Sequence, residues 1–201
     1  WLSVRECFIG FSPATVMAVS FSGEMAYEIH IPNESLYAAY QSLTKAGKEF
    51  GMQIFGARAV ESMRMEKGFL AWKHDLITEY DPFETGLNRF TNLQKEDFIG
   101  KAALQKRFDS GLKKKLVCLN IKCKHSPAPG GASLMDGDKV VGTISSGEWG
   151  YRVNQNLAYA FVNIDKAEIG TKMDLDLLGK LVEAEVISFA SYDSNFSRIL
   201  A

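Results

Sequence analysis

The hydrophobic pattern of the chain changes its period near residue 111, and this change restricts the folds that the chain can adopt. Before it, apolar residues recur both at alternate positions and at helical steps, which predicts a mixture of strands and helices. After it, only short segments rich in Val, Ile, Leu and Phe remain, separated by turns such as the one at 136–138. The sequence therefore predicts an α+β part over residues 1–110, followed by a small antiparallel β-barrel or sandwich over 111–201.

The first part opens with two predicted strands. Residues 15–22 and 26–32 alternate apolar and polar side chains, and the segment SGEM at 22–25 predicts a tight hairpin between them. Three helices are predicted after the hairpin, the first with Asn33 as its N-cap and the second ending at Gly68. The predicted helices cover about residues 33–50, 57–67 and 97–111.

The second part is predicted to contain strands alone. The stretch HSPAPGGAS at 125–133 has too much Pro and Gly for a regular element, so it is predicted as a loop between the first two strands. The segments together predict an all-β module. The predicted strands are 115–122, 139–145, 157–163, 173–178 and 181–189.

Net charge and apolar run lengths exclude several classes of protein. The chain carries 23 basic and 24 acidic residues, so no overall positive field is available to gather nucleic acid or an anionic membrane. The basic run LKKKL at 112–116 is interpreted as the solvated start of a strand. No apolar run approaches the ~20 residues that span a bilayer, and no basic segment with an apolar core begins the chain. We expect a soluble protein with no nucleic-acid or membrane partner.

The cysteines and histidines indicate neither a disulfide framework nor a local metal site. The three cysteines are odd in number and lack C-x-x-C spacing, which predicts a reducing compartment: the cytoplasm or, in a eukaryote, the mitochondrial matrix. The three histidines are far apart in the sequence, so no metal is expected. The residues are Cys7, Cys118, Cys123, His30, His74 and His125.

Two charged residues are candidates for ligand binding. Glu28 follows Tyr27 on the predicted second strand and shares a face with Ala26 and His30. It is either the solvent side of an edge strand or a carboxylate that accepts hydrogen bonds from the amino group and ring N–H of a planar heterocycle, beside an aromatic ring. Arg58 is either an ordinary surface arginine or a bidentate hydrogen-bond donor to a carboxylate ligand.

Three long stretches, in the same order and at similar spacing, resemble landmarks of the glycine-cleavage T-protein (aminomethyltransferase) family. They are SFSGEMAYEIHIP at 20–32, FGARAVESMRMEKGFLAWKHDL at 55–76 and DPFETGLNRFTNLQKEDFIGKAAL at 81–104. Within that family, RMEKGFLAW, DPFETGL and LKKKLVCLNI are most similar to the folate-binding C-terminal region of dimethylglycine and sarcosine dehydrogenases. The resemblance continues through VVGTISSGEWGYRVNQNLAYAFV at 140–162.

The resemblance implies tetrahydrofolate as the ligand and assigns residues to it. Residues 1–110 would be the C-terminal part of a folate-binding aminomethyltransferase-like domain. Glu28 matches the glutamate of the family's GYEI-like strand, which binds the pterin, and Tyr27 would be a ring neighbour. Arg58 matches the arginine of the GARD-like turn, which approaches the glutamyl tail of folate. Ala59 stands where the family commonly has Asp, which removes a local support for the arginine.

The resemblance also implies that part of the machinery lies outside the chain. The family's catalytic aspartate belongs to the N-terminal half of the folate domain, before Trp1, so no catalytic residue is expected here. An N-terminal Trp in place of Met indicates a piece of a longer polypeptide. FAD is expected only in an N-terminal domain of the parent, because no G-x-G-x-x-G segment follows a strand. The expected partners are folate and the parent's N-terminal domains, and the isolated chain is expected to be inactive.

The function that the resemblance implies is one-carbon transfer. The parent would oxidise an N-methyl amine on its flavin and pass the one-carbon unit to tetrahydrofolate, giving 5,10-methylene-tetrahydrofolate. Two alternatives stay open at this point. One is the T-protein aminomethyltransferase of the glycine cleavage system, and the other is a folate-binding or assembly module without transferase chemistry.

Overall fold

The computed structural model describes residues 1–124 and 126–200, in two compact units. The sheet unit comprises Trp1–Arg64 together with the C-terminal residues from Asp193, and the barrel unit comprises Met65–Tyr192. The two units are the parts of the chain within which the backbone packs most densely. They do not test the domain boundary expected near residue 110, which stays a prediction. His125, where the predicted loop 125–133 begins, lies outside the described residues.

The sheet unit is built on three antiparallel strands in the order β1-β2-β3. They are β1 Val4–Ile9, β2 Ser12–Met17 and β3 Glu28–His30. The hairpin between β1 and β2 turns at Gly10, whose φ of +61° lies in the left-handed region. A Cβ at Gly10 would stand 2.9 Å from Ser42 Oγ, which can rotate away, so glycine is favoured there mainly by its conformation.

The predicted hairpin of residues 15–22 and 26–32 is correct in its pairing and wrong in its turn. β2 and β3 do pair antiparallel, but residues 18–27 form a long connection in place of a tight turn at 22–25. The Ser20 hydroxyl accepts a hydrogen bond from the Gly23 N–H at 3.0 Å, and such side-chain bonds turn the backbone away from a strand ladder. β1 was not predicted at all.

Two helices accompany the sheet. α1, Leu36–Gly47, follows a 3-10 turn at Asn33–Ser35 and packs against β1 and β2, where Ala39 is fully buried. α2, Ala57–Lys67, has the predicted bounds, and Gly68 ends it with a φ of +80°.

The barrel unit contains α3, Lys101–Asp109, and a closed barrel of six antiparallel strands in the order β4-β7-β6-β5-β8-β9. The α+β part followed by an antiparallel barrel is thus confirmed, and the barrel replaces the sandwich alternative. In the described part of 115–190, helical structure is limited to a 3-10 turn at Ile164–Lys166. The strands are β4 Lys114–Ile121, β5 Ser133–Asp136, β6 Lys139–Gly150, β7 Gln155–Asn163, β8 Lys172–Leu177 and β9 Lys180–Ile187.

Both faces of β4 are buried, which explains its unbroken apolar run. Val117 and Leu119 point into the barrel interior, whereas Leu116 and Cys118 join a second cluster with Tyr159 and other residues outside the barrel wall. The Tyr159 hydroxyl donates a 2.7 Å hydrogen bond to the carbonyl of Met65, at the end of α2. The barrel unit therefore has a hydrophobic cluster on each side of its wall.

Candidate functional site

Glu28 lies on the open face of the three-stranded sheet. Residues opposite each other in a sheet share a face, so Glu28 and His30 face the same way as their partners Met17 and Thr15 on β2. The Glu28 side chain is 57% exposed, and its Oε2 lies 3.5 Å from His30 Nε2. The structure therefore brings these two side chains together on an edge strand.

An open groove of about 460 Å³ crosses the same face next to His30. Glu6 of β1, Thr15 of β2 and His30 of β3 are opposite one another in register and line the groove as a polar row. Phe8, which is 73% exposed, adds an apolar wall. The groove thus offers a carboxylate, an imidazole and a ring within one concave surface.

The opposite face of the sheet is covered. Ser12 and Ala14 are buried there, and Cys7 and Ile9 are half-buried, on the side where α1 packs. One face of the sheet is therefore committed to packing, whereas the face that carries Glu28 is open to a ligand.

Tyr27 and Arg58 lie outside this polar row. Tyr27 immediately precedes β3 and its ring is 58% exposed. Arg58 lies in the first turn of α2 and is exposed, with Ala59 beside it. A cation in the first turn of a helix is opposed by the helix dipole, so Arg58 does not stabilise α2 through that dipole. The ligand roles of Glu28, Tyr27 and Arg58 stay predictions.

Sequence reasoning missed Glu6 and Thr15 in the groove, and Arg198 beside the connection 18–27. The Val, Phe and Ile content of β1, which ends just before Gly10, was a usable strand signal. No local signal indicates Arg198, whose Nε donates a 3.1 Å hydrogen bond to Glu24 from the far end of the chain.

A buried charge network in the barrel unit accounts for Glu66 of the RMEK motif. The Glu66 side chain is 1% exposed and accepts hydrogen bonds from the Arg152 backbone N–H, at 2.6 Å, and from Arg152 Nε. The Arg152 guanidinium stacks 3.9 Å from the centre of the Tyr192 ring, and the Tyr192 N–H donates to the Glu66 carbonyl. These contacts join the end of α2 to the turn between β6 and β7.

Residues 1–124 and 126–200 contain neither a metal-binding cluster nor a membrane-spanning helix. No group of three or more His, Cys, Asp or Glu side chains is placed to hold a metal ion. No helix in these ranges is both long enough and apolar enough to cross a bilayer.

Both parts of the chain match models of known protein families. Residues 1–95 match the model described as the GCVT N-terminal domain, and residues 114–193 match the glycine cleavage T-protein C-terminal barrel domain. The chain belongs to the glycine-cleavage T-protein (aminomethyltransferase) family. The resemblance seen in the sequence is thereby confirmed over both parts of the chain.

Curated relatives of this T-protein family member include dehydrogenases and transferases. It is 35% identical to the mitochondrial dimethylglycine dehydrogenase of Homo sapiens, over 93% of this chain and 22% of that protein. It is 31% identical to an aminomethyltransferase of Alkaliphilus oremlandii, over 94% of this chain and 51% of that protein. It is also 30% identical to the mitochondrial sarcosine dehydrogenase of Mus musculus. The chain therefore spans about a fifth of the dehydrogenases and half of the aminomethyltransferase.

A solved structure shares the fold. The crystal structure of glycine cleavage system aminomethyltransferase T from Bartonella henselae superposes with a TM-score of 0.81. The match covers 90% of this chain and 50% of that chain, at 22% sequence identity. At this identity the likeness shows a common T-protein fold.

Proposed function

We propose that this chain is the tetrahydrofolate-binding C-terminal portion of a dimethylglycine or sarcosine dehydrogenase-like protein. The whole protein transfers a one-carbon unit from an oxidised N-methyl amine to tetrahydrofolate, giving 5,10-methylene-tetrahydrofolate. The observation that carries the proposal is the open sheet face, where Glu28 stands beside His30 next to a groove. Its similarity to dimethylglycine and sarcosine dehydrogenases supports the reaction class.

Glu28 reads the pterin ring in this proposal. Its two carboxylate oxygens accept hydrogen bonds from the 2-amino group and the adjacent ring N–H, which is a donor pair that a carboxylate matches and an amide does not. Because the carboxylate is solvated before the ligand arrives, it is held ready without the cost of a buried charge. The ring then excludes water and strengthens the two bonds, and Tyr27 flanks the ring.

Arg58 binds the glutamyl tail. A guanidinium presents parallel N–H donors that match a carboxylate, and an exposed position suits a tail that extends into water. Arg58 is exposed, and an exposed ion pair is worth little, so Arg58 is a weaker contributor than Glu28. The open sheet face and the first turn of α2 both belong to the sheet unit.

The rest of the reaction belongs to a longer protein. The dehydrogenase relatives are about five times longer than the matched region, which supports further domains in the parent. In this proposal one of those domains holds FAD, as the family resemblance implies. In that arrangement this chain binds and orients tetrahydrofolate, and an acid outside the chain manages the proton on the folate amine. The compartment would be the mitochondrial matrix in a eukaryote, in line with the mitochondrial dehydrogenases, or the cytoplasm otherwise.

A second candidate is the aminomethyltransferase itself. The relatives with that name support it, since the chain matches half of their length. The two candidates differ in the donor of the one-carbon unit and share the folate site. An assay of the full-length protein with dimethylglycine and sarcosine separates them: methyl-group oxidation supports the dehydrogenase, and folate binding without oxidation supports the aminomethyltransferase or a binding module.

The folate site is tested by titrating tetrahydrofolate into the full-length protein in a calorimeter. Glu28→Gln replaces one acceptor oxygen with a donor that faces the ring's own donors. Losing a charge-assisted hydrogen bond costs roughly 1.5–3 kcal/mol, so binding should weaken about 10- to 150-fold.

The matched control is Glu49→Gln, an exposed glutamate of the same unit outside the groove, which should bind as the parent does. Circular dichroism of both variants should match that of the parent, which would show that they are folded. If Glu28→Gln binds tetrahydrofolate within about twofold of the parent, Glu28 is only a solvent-facing residue of an edge strand.

A further inference from the structure

The loop that follows α2 in the barrel unit is held by a buried carboxylate. Asp75 is fully buried, and its Oδ2 accepts a hydrogen bond from the Ala71 N–H at 2.9 Å. Its Oδ1 accepts from the hydroxyls of Ser145, at 2.6 Å, and Ser146, at 2.8 Å. These serines lie where the register of β6 against β7 shifts, so the bulge of the barrel strand and the loop are fastened to each other.

The loop that this anchor holds has a strained backbone and exposed side chains. Lys73 has a φ of +69°, a left-handed conformation that a lysine seldom adopts, and its N–H is fixed by the Leu76 carbonyl at 3.0 Å. Trp72 is 73% exposed. Backbone strain of this kind persists where the surroundings over-determine it, and it clusters at ligand sites. The Asp75 anchor and the strained backbone therefore hold the outer residues of the loop in one arrangement.

A cavity of about 310 Å³ lies beside these residues. Lys73 and His74 line one side, and Thr143 and Ser145 of β6 line another. Tyr80 stacks on Phe161 with ring centres 3.5 Å apart, which fixes an aromatic wall.

The side chains that line this cavity include a lysine. Among the described residues that line it there is no carboxylate side chain, and the carboxylate of Asp75 is buried behind Ser145. Lys114 Nζ lies 5.9 Å from the centre of the Tyr80 ring and adds a second positive charge near the aromatic wall. The volume is at the lower end of pockets that take small molecules.

We propose that this cavity is a second binding site, for a small anion that carries a carboxylate or phosphate group, with Lys73 as its charge partner. The hydroxyl of Thr143 supplies a polar contact, since that of Ser145 already donates to Asp75, and the Tyr80 ring covers an apolar part of the ligand. The anchor at Asp75 keeps Lys73 in position. The proposal stands apart from folate binding, because all of these residues belong to the barrel unit and none is among the folate-site residues.

The test is a titration of the full-length protein with inorganic phosphate in one arm and L-glutamate in the other. The readout is the NMR signal of the Trp72 indole N–H, assigned with Trp72→Phe. A saturable shift is expected with one or both anions, and the arm that responds identifies the anionic group. Lys73→Gln should weaken the binding about 10-fold or more. Lys180→Gln, an exposed lysine of the same unit outside the cavity, is the matched control and should bind as the parent does.

A second variant separates binding from folding. Lys73→Gly relieves the left-handed backbone, so it should raise the melting temperature while it removes the charge and the anion response. A merely structural Lys73 predicts unchanged anion binding in both variants. The proposal is overturned if neither anion gives a saturable shift, or if the shift in Lys73→Gln and Lys73→Gly equals that of the parent.

Discussion

The sheet of the sheet unit and the wall of the barrel differ in how many of their faces are buried. The sheet packs one face, around Ala14, and leaves the other open, where Phe8 is exposed. The barrel strand β4 buries Leu119 inside the barrel and Cys118 outside it. A strand covered on both sides contributes its whole apolar surface to stability, whereas a strand with an open face keeps polar groups available. The barrel wall is therefore expected to contribute most to stability, and the open sheet face to folate recognition.

The largest effect is expected from the buried ion pair of the barrel unit. Arg152→Ala leaves the Glu66 carboxylate buried without its guanidinium, and breaking such a pair typically costs about 3–5 kcal/mol. The free energy of unfolding, measured with urea, should fall by that amount. Lys172→Ala, which breaks an exposed pair with Glu183, should cost only about 0–1 kcal/mol. Equal losses in the two variants would contradict the buried network.

The next effect compares the two kinds of surface directly. Leu175 is fully buried in the barrel, so Leu175→Ala should cost about 2–5 kcal/mol. Phe8 lies on the open sheet face, and Phe8→Ala should change the free energy of unfolding by less than about 1 kcal/mol despite the larger side chain. Urea melts of both variants measure this difference. A large loss in Phe8→Ala would mean that the face is covered in the protein as it exists.

Arg58→Ala tests the weaker end of the folate site. An exposed ion pair contributes about 0–1 kcal/mol, so tetrahydrofolate should bind up to about fivefold more weakly, a smaller effect than that of Glu28→Gln. Tetrahydrofolate with additional glutamyl residues should show whether the effect belongs to the tail. Calorimetric titration measures both, and an Arg58→Ala effect that exceeds that of Glu28→Gln would reverse the assigned roles.

The smallest effect concerns thiol reactivity. Burial raises the pKa of the Cys118 thiol to about 12, whereas Cys7, on the sheet, is half-buried. At pH 8 a thiol reagent should modify Cys7 and Cys123 in the folded protein and reach Cys118 only after unfolding. The unfolded thiol ionises near pH 9, before the folded one. The stability contributed by the buried thiol is therefore lost as the pH rises from about 9 to 12. Mass spectrometry of the labelled peptides measures the order of modification.

Predictability from sequence followed the range of the interactions. The bounds of α2 at 57 and 67 and its end at Gly68 were predicted, because helix hydrogen bonds and the C-terminal glycine act within a few residues. The prediction of a tight turn at 22–25 was wrong, because hydroxyl hydrogen bonds to the backbone compete with a strand ladder in a serine-rich segment. β5 was missed, since four residues carry too little periodicity to be seen.

The sequence by itself determined the change from α+β to β, the helices of the first part and, through its motifs, the family. Only the tertiary structure decided that the barrel closes, because closure depends on the pairing of β4 with β9 across most of the module. It alone placed Glu6 and Thr15 in register with His30, and Asp75 under the hydroxyls of Ser145 and Ser146. The physical reason is common to these cases: strand register and buried hydrogen bonds join residues far apart in sequence, and no local pattern encodes their partners.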